Sequence, residues 1–300
     1  MTDKDRIGFI GVGYMGHGMA KNIVEKGWPL TIMGHRNREP VEDLLKRGAS
    51  EAKSPRELAE KSDIIFICVT GTPQVEDLMR RSDGILAGAH EGLVVVDTST
   101  AVPDSTVALA AELEAKGGAM ADAPLGGTPA QAETGELSAM VGAAPEVYAR
   151  IEPVIRAWAA RSVHLGPVGD GHKMKLLNNF VSLGYGALYA EALAVARKVG
   201  ITPETFDSVL SGSRMDCGFY QTFMEYTLSG NREAHKFTLR NAHKDLRYLA
   251  AMANEAGIAN HIGSAAKNAF AYAEGIGRGD DYVPFLADII AEANGMKGKG

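Results

Sequence analysis

The stretch from Ile7 to Gly27, IGFIGVGYMGHGMAKNIVEKG, constrains this chain more than any other. Its apolar start, Ile7-Gly8-Phe9-Ile10, has the character of a buried parallel strand. Gly11, Gly13 and Gly16 follow in G-x-G-x-x-G spacing. A helical pattern then runs from about Met15 to Lys26, with Met15, Met19, Ile23 and Val24 on one face and Gly27 ending it. Strand, glycine turn and helix stand in the order a dinucleotide-binding fold requires. Gly11 permits the tight turn, Gly13 lets a pyrophosphate approach the backbone, and Gly16 lets the helix pack close to the strand. The helix N-terminus offers N–H groups and the positive dipole end to phosphates. Glycine is common here, 35 of 300 residues, so the spacing alone would read as an ordinary glycine turn; its flanking strand and helix select the nucleotide reading.

Beyond this unit the pattern alternates. Apolar strands are expected at 30–33, 63–69, 93–97, 120–124, 137–141 and 163–165, with helices at 40–47, 55–61, 74–81, 103–116 and 145–160 between them. Ser54-Pro55-Arg56-Glu57 carries an N-cap, a first-turn proline and an early acid. Alternation of this kind specifies an α/β Rossmann domain with a doubly wound, mostly parallel sheet. From about Gly166 onward only helical periodicity remains, led by a long helix over roughly 172–199. The expected division is a nucleotide-binding domain at residues 1–167 and an all-helical domain at 168–300.

Composition excludes other classes. Hydrophobic residues make up 45% and charged residues 23%, and the net charge is −6, which gives no reason to expect nucleic acid. No apolar run reaches membrane-spanning length, and a strand beginning at Ile7 leaves no room for a signal peptide, so a cytoplasmic location is expected. Cys68 and Cys217 lack metal-type spacing, which points to a reducing compartment without disulfides, and Cys68 reads as a buried thiol.

At the end of the second strand, where an acid commonly accepts the ribose hydroxyls of NAD, the chain has Gly34-His35-Arg36-Asn37. The arginine fork of Arg36 suits a 2′-phosphate, which places NADP(H) ahead of NAD(H); the competing reading is a solvated charge or an adenine stacker. The loop at 70–73 lies at a strand's carboxyl end, where ligands bind in such sheets. Asp122-Ala123-Pro124-Leu125-Gly126-Gly127-Thr128 ends a strand in a turn whose backbone N–H groups and Thr128 hydroxyl suit a small carboxylate, or form only a flexible turn.

Lys175 sits in Gly169-x-Gly171-x-x-x-Lys175-x-x-Asn178-Asn179, near the start of the long helix, and shares a face with Asn179 four residues on. Its apolar neighbours Met174, Leu176, Leu177, Phe180 and Leu183 imply substantial burial, which lowers a lysine's pKa and suits a general acid. Taken alone, it reads sooner as a snorkelling or surface lysine than as a general acid. His172 and His243 have no carboxylate cluster at metal spacing, so no metal is expected. Trp28 and Trp158 read as packing residues, and Arg214 as either an anion contact or a surface charge.

The motifs Phe9 to Asn22, Asp122 to Gly127, Gly171 to Asn179 and His243-Lys244-Asp245-Leu246 resemble, in order and over nearly the whole chain, the β-hydroxyacid dehydrogenase family. That family includes 3-hydroxyisobutyrate dehydrogenases and tartronate, glyoxylate and succinic semialdehyde reductases. The resemblance implies that Lys175 donates or holds the proton on a carbonyl oxygen and that Asn179 orients substrate or lysine. It implies a substrate carboxylate on Gly126, Gly127 and Thr128. Gly11, Gly13, Tyr14, Met15, Gly16, His35, Arg36, Val69, Thr70, Thr100 and Lys244 would meet the cofactor, and the protein would form a homodimer or homotetramer. One departure stands out: the family usually has Ser-Gly-Gly where this chain has Gly126-Gly127-Thr128. The sulfolactaldehyde reductase branch also has glycine first and threonine third, with an arginine between them for a sulfonate; here Gly127 stands there. An imine reductase-like enzyme usually replaces the lysine by aspartate or tyrosine, and a non-catalytic cofactor-sensing scaffold loses it, so Lys175 argues against both.

Overall fold

A computed structural model describes residues 4–297. Nine strands form one sheet among them: β1 (Ile7–Ile10), β2 (Leu30–Met33), β3 (Ser50–Ala52), β4 (Ile64–Ile67), β5 (Val94–Asp97), β6 (Ala119–Asp122), β7 (Leu125–Gly126), β8 (Leu137–Gly142) and β9 (Ala159–Gly166). The spatial order is β3-β2-β1-β4-β5-β6-β8-β7, with β9 beside β8. The first six are parallel, and Phe9 stands opposite both Ile32 and Phe66. β8 then runs antiparallel to β6 and β7 and parallel to β9. The strand order reverses between β1 and β4, and their carboxyl ends therefore open a crevice suited to a ligand.

Crossovers between parallel strands need helices, and the sequence supplies them: α1 (Gly16–Glu25), α2 (Glu39–Lys46), α3 (Pro55–Lys61), α4 (Thr72–Arg80), α5 (Ile85–Gly88), α6 (Pro103–Glu114), α7 (Pro129–Thr134) and α8 (Pro145–Trp158). Most begin with proline in the first turn, and the Ser54 hydroxyl caps α3 by accepting the Glu57 N–H at 3.1 Å. Alternate residues of β4 serve opposite faces of the sheet: Ile64 and Phe66 join the layer of Met19, Ile23 and Trp158, while Ile65 and Ile67 join that of Met79 and Leu109. Trp158 is fully buried with its ring edge-on to Phe66, the packing role expected of it.

The chain divides into two compact units, Met1–Lys175 and Leu176–Gly300. The second is helical: α9 (Asp170–Lys198), which begins in the first unit, is followed by α10 (Pro203–Leu210), α11 (Gly218–Ser229), α12 (Leu239–Glu255), α13 (His261–Gly275) and, after a short 3-10 turn, α14 (Leu286–Ala293). Its core gathers Leu183, Tyr220, Phe223, Leu246, Phe270 and Leu286. A buried polar node fastens α9, α11 and α14: Asp288 accepts from the Tyr226 hydroxyl at 2.6 Å and from Arg197 at 3.3 Å. Among the described residues no helix is long and apolar enough to cross a membrane.

The expected elements are present with ends shifted by a few residues, and four short ones, β3, β7, α5 and α7, appear in addition. Both cysteines are free. Cys68 lies one residue past β4 and is partly rather than fully buried; desolvation pushes its thiol up to about 11 against a hydrogen bond from Thr98.

Candidate active site

The three glycines of the first turn do separate work. Gly11 has φ +97°, and a Cβ there would overlap the Cys68 carbonyl of the next strand. A Cβ on Gly16 would meet the Gly11 carbonyl and lie 3.0 Å from the Phe9 ring. A Cβ on Gly13 would meet nothing within 4 Å, so the backbone there is open to a ligand. The cavity at this place measures about 580 Å³ and is lined in part by Gly11, Gly13, Met33, His35, Val69 and Thr70. This open backbone, a helix N-terminus behind it and a cavity at the reversal of strand order fit a dinucleotide.

Arg36 is exposed beside His35. The acid nearest to this strand end, Glu51, is bound by both arms of Arg38 at 2.6 and 2.9 Å, which lowers its carboxyl below the usual range. Tyr14 is 83% exposed, whereas Met15 packs against the core. Val69 donates its N–H to the Ser99 hydroxyl at 3.0 Å, and Thr100 is half-buried beyond the end of β5.

A second cavity of about 730 Å³ flanks the turn on the side of α2 and α7. There His17 places one ring nitrogen 2.8 Å from Glu133 and the other 2.9 Å from Asp43. His17 and Arg47 together hold the Asp43 carboxyl down to about 2, with the Arg47 hydrogen bond the larger cause. The spacing of the glycine motif carries no sign of this clamp, because its partners lie 26 and 116 residues away.

Lys175, the last residue of the first unit, is half-buried, and its ammonium donates to the Leu125 carbonyl at 2.6 Å. Of the neighbours expected to enclose it, Leu176 and Leu183 are buried, but Met174 and Leu177 are exposed. The sequence pattern overstated its burial because the apolar residues flank it on both sides of the helix. Gly126 pairs with Ser138 in the sheet, and Gly127 has φ +126°. Thr128 caps α7: its N–H and hydroxyl both reach the Gln131 side-chain oxygen, at 2.9 and 3.2 Å.

Within the second unit the third and fourth motifs meet. Asn179 is buried and donates to Asp245 at 2.7 Å, and Lys244 lies 3.2 Å from the other oxygen of the same carboxylate. Asp245 is therefore a hub whose partner lies 66 residues away. His243 faces Glu274 at 2.7 Å. Arg214 is exposed. His172 departs from expectation: two carboxylates lie near its ring, Asp97 at 3.8 Å and Asp122 at 3.7 Å. They come from the ends of β5 and β6, which local spacing does not show. Among the described residues no cluster of three or more His, Cys, Asp or Glu is arranged to hold a metal ion.

The chain matches two family models, the NAD-binding domain of 6-phosphogluconate dehydrogenase over residues 6–166 and the NAD-binding domain of NADP-dependent 3-hydroxyisobutyrate dehydrogenase over residues 169–286. It is 30% identical to 3-sulfolactaldehyde reductase of Escherichia coli over 98% of both chains. It is also 30% identical to 2-(hydroxymethyl)glutarate dehydrogenase of Eubacterium barkeri, over 100% of this chain and 99% of that one. The crystal structure of a 3-hydroxyisobutyrate dehydrogenase from Salmonella typhimurium superposes with a TM-score of 0.85 at 26% identity, covering 95% of this chain and 99% of that one. Glycine turn, sheet order, helical second unit and these relatives agree: the chain belongs to the 3-hydroxyisobutyrate dehydrogenase-like β-hydroxyacid dehydrogenase family, NAD(P)-dependent hydroxy-acid dehydrogenases and semialdehyde reductases.

Proposed function

We propose that this enzyme moves a hydride between a nicotinamide and a short β-hydroxy acid or its semialdehyde, with Lys175 as the acid and base at the reacting oxygen. One observation carries the reading. The Lys175 ammonium is fastened at 2.6 Å to the carbonyl of Leu125, the residue directly before Gly126-Gly127-Thr128. The proton donor therefore meets the chain directly before the turn proposed for the substrate carboxylate, as a substrate with a carboxylate near its carbonyl requires. When bound, the nicotinamide supplies or accepts the hydride. In the reducing direction Lys175 stabilises the oxygen as charge develops on it and then protonates it. In the oxidising direction it takes that proton back. Asn179 and Lys244, joined through Asp245, would orient the substrate and meet the cofactor.

Gly11, Gly13, Tyr14, Met15 and Gly16 would cradle the pyrophosphate, with Val69, Thr70 and Thr100 beside it. NADP(H) is favoured over NAD(H): Arg36 follows the end of β2, where an acid commonly meets the ribose of NAD, and the acids nearby are engaged, Glu51 with Arg38 and Asp77 with Arg81 at 3.6 Å. A carboxylate is favoured over a sulfonate because Gly127 offers no cation at the centre of the turn. The helical residues 168–300 would serve substrate binding and self-association. Val181, Leu188 and Val195, exposed at seven-residue spacing along α9, support a dimer or tetramer built on that face.

The test is absorbance of reduced nicotinamide with a panel of semialdehydes and hydroxy acids, a sulfonate analogue included, using wild type and Lys175→Ala with NADPH and with NADH. Turnover that collapses in the variant while cofactor binding survives supports the reading. Undiminished turnover in the variant would sink the mechanism. Cofactor binding without turnover on any substrate would favour a scaffold.

A further inference from the structure

The start of α9 is held by groups that no step above uses. Asp122, at the end of β6, is fully buried, and its two oxygens accept the N–H groups of Gly169 and His172, each at 2.6 Å. A carboxylate receiving two backbone N–H groups at a helix start is a charge-assisted cap. The fit is close: a Cβ on Gly171 would lie 2.7 Å from one Asp122 oxygen, and a Cβ on Gly142 2.6 Å from the other.

His172 returns the grip. Its ring is fully buried, its Nε2–H donates to the Ser99 carbonyl at 3.1 Å, and its Nδ1 meets the Thr106 hydroxyl at 2.8 Å. Asp97, also fully buried, accepts the Ser99 N–H at Oδ1, 2.9 Å away, and its Oδ2 has no hydrogen-bond partner among the described residues, 3.8 Å from His172 Nε2. Ser99 accepts from Val69 as well, so one residue ties the helix start to the rim of the nucleotide cavity. Burying two carboxylates and an imidazole is expensive, and an apolar core would pack as well.

Lys175 follows His172 by one helical turn, and its anchor Leu125 follows Asp122 by three residues. α9 therefore grips the segment 122–125 twice, once through the cap and once through the lysine. Lysine has a flexible four-carbon stem, and its ammonium is placed only as well as its Cα. We propose that His172, acting with Asp122, is a positioning residue for Lys175, fixing the rotation and height of the first turn of α9 so that the ammonium reaches the reacting oxygen. This rests on the reading of Lys175 as proton donor.

The experiment compares His172→Ala, His172→Gln, Thr106→Val, Lys175→Ala and the double variant His172→Ala with Lys175→Ala. Expected are a kcat at least tenfold lower in His172→Ala with cofactor Kd within twofold of wild type, and recovery to within about threefold in His172→Gln, whose amide N–H replaces the Nε2–H. In the Lys175→Ala background the His172→Ala change costs nothing further, the mark of two residues acting through one group. Trace acylation of Lys175, scored against exposed Lys53, changes at least threefold in His172→Ala without any turnover being needed. Thr106→Val, the mildest change, repeats the effect at smaller size and decides the matter if His172→Ala does not fold. An unchanged kcat, an equal further loss in the Lys175→Ala background, or unchanged acylation overturns the proposal. If wild type turns over nothing on the panel, the proposed function fails, while the acylation comparison still decides this inference.

Discussion

The glycine turn and the start of α9 both belong to the first unit, yet they are built by opposite means. The turn works through what is missing: no Cβ at Gly13 stands before the ligand, and none at Gly11 or Gly16 holds the backbone apart. The start of α9 works through what is present, two buried carboxylates and a buried imidazole whose partners come from β5, β6 and α6. A site made of absent side chains tolerates little added bulk and is indifferent to charge. A site made of buried polar groups tolerates bulk no better, and it also fails when any one partner is lost. The second unit supplies a contrast to His172. Among the described residues the His235 ring meets the Thr222 hydroxyl and the edge of Phe219, and burial pushes its imidazole down to about 4.

Substitutions can break or sharpen this contrast. The largest effect is expected for Lys175→Ala, a loss of roughly 10² to 10⁴ in kcat with cofactor binding retained, measured by steady-state kinetics and cofactor fluorescence. Asp122→Ala comes next. It leaves the Gly169 and His172 N–H groups facing a void and should cost about 2–5 kcal/mol by denaturant titration. Gly13→Val should do the reverse, leaving stability nearly unchanged because its Cβ position is open, while weakening cofactor binding roughly tenfold or more by calorimetry. If Gly13→Val destabilises the fold instead, the account of the turn as a site of missing side chains is wrong.

A smaller effect is expected from pH at His235. Its folded pKa is depressed, so the unfolded chain takes up a proton near 6.5 while the folded protein resists until about 4. Stability present above pH 6.5 is therefore lost as pH falls towards 4, by on the order of 1–3 kcal/mol. His235→Phe should flatten the profile between these values; a profile that keeps its slope would assign the acid sensitivity to other groups. The smallest is Arg36→Ala, which should raise KM for NADPH severalfold and leave NADH nearly unaffected, since one exposed charge contributes about 1 kcal/mol.

These contrasts also explain what could be read in the sequence. The glycine turn was legible because its function is local: three residues within six positions, between a strand and a helix, state the whole requirement. The parallel order of β1 to β6 followed from alternation alone. The strands and helices that escaped notice are short, β3 three residues and α5 four, too brief to show a period. α7 did carry a signal, since Thr128-Pro129-Ala130-Gln131 is a capping box with proline in the first turn, but it was hidden behind the glycines of an expected flexible loop. The Ser99 carbonyl that holds His172, the Asp245 carboxylate that holds Asn179 and the Leu125 carbonyl that holds Lys175 lie 50 to 73 residues away, and no local pattern gives such pairings. Lys175 could be picked out by its motif, but the carbonyl that holds it could not.

The cap on Asp122 bears on where the nucleotide-binding half of this protein ends. The match to the first family model stops at residue 166, yet the amides that satisfy the buried carboxylate belong to residues 169 and 172. A gene fragment cut at that boundary would carry every glycine of the turn and every strand of the sheet, and would still leave an acid in its core with neither donor. Only a fragment carried through the first turn of α9 contains its own counterpart for that charge. A piece of the Rossmann half that keeps both donors of Asp122 therefore includes His172, and with one more turn of helix it takes Lys175 along with it.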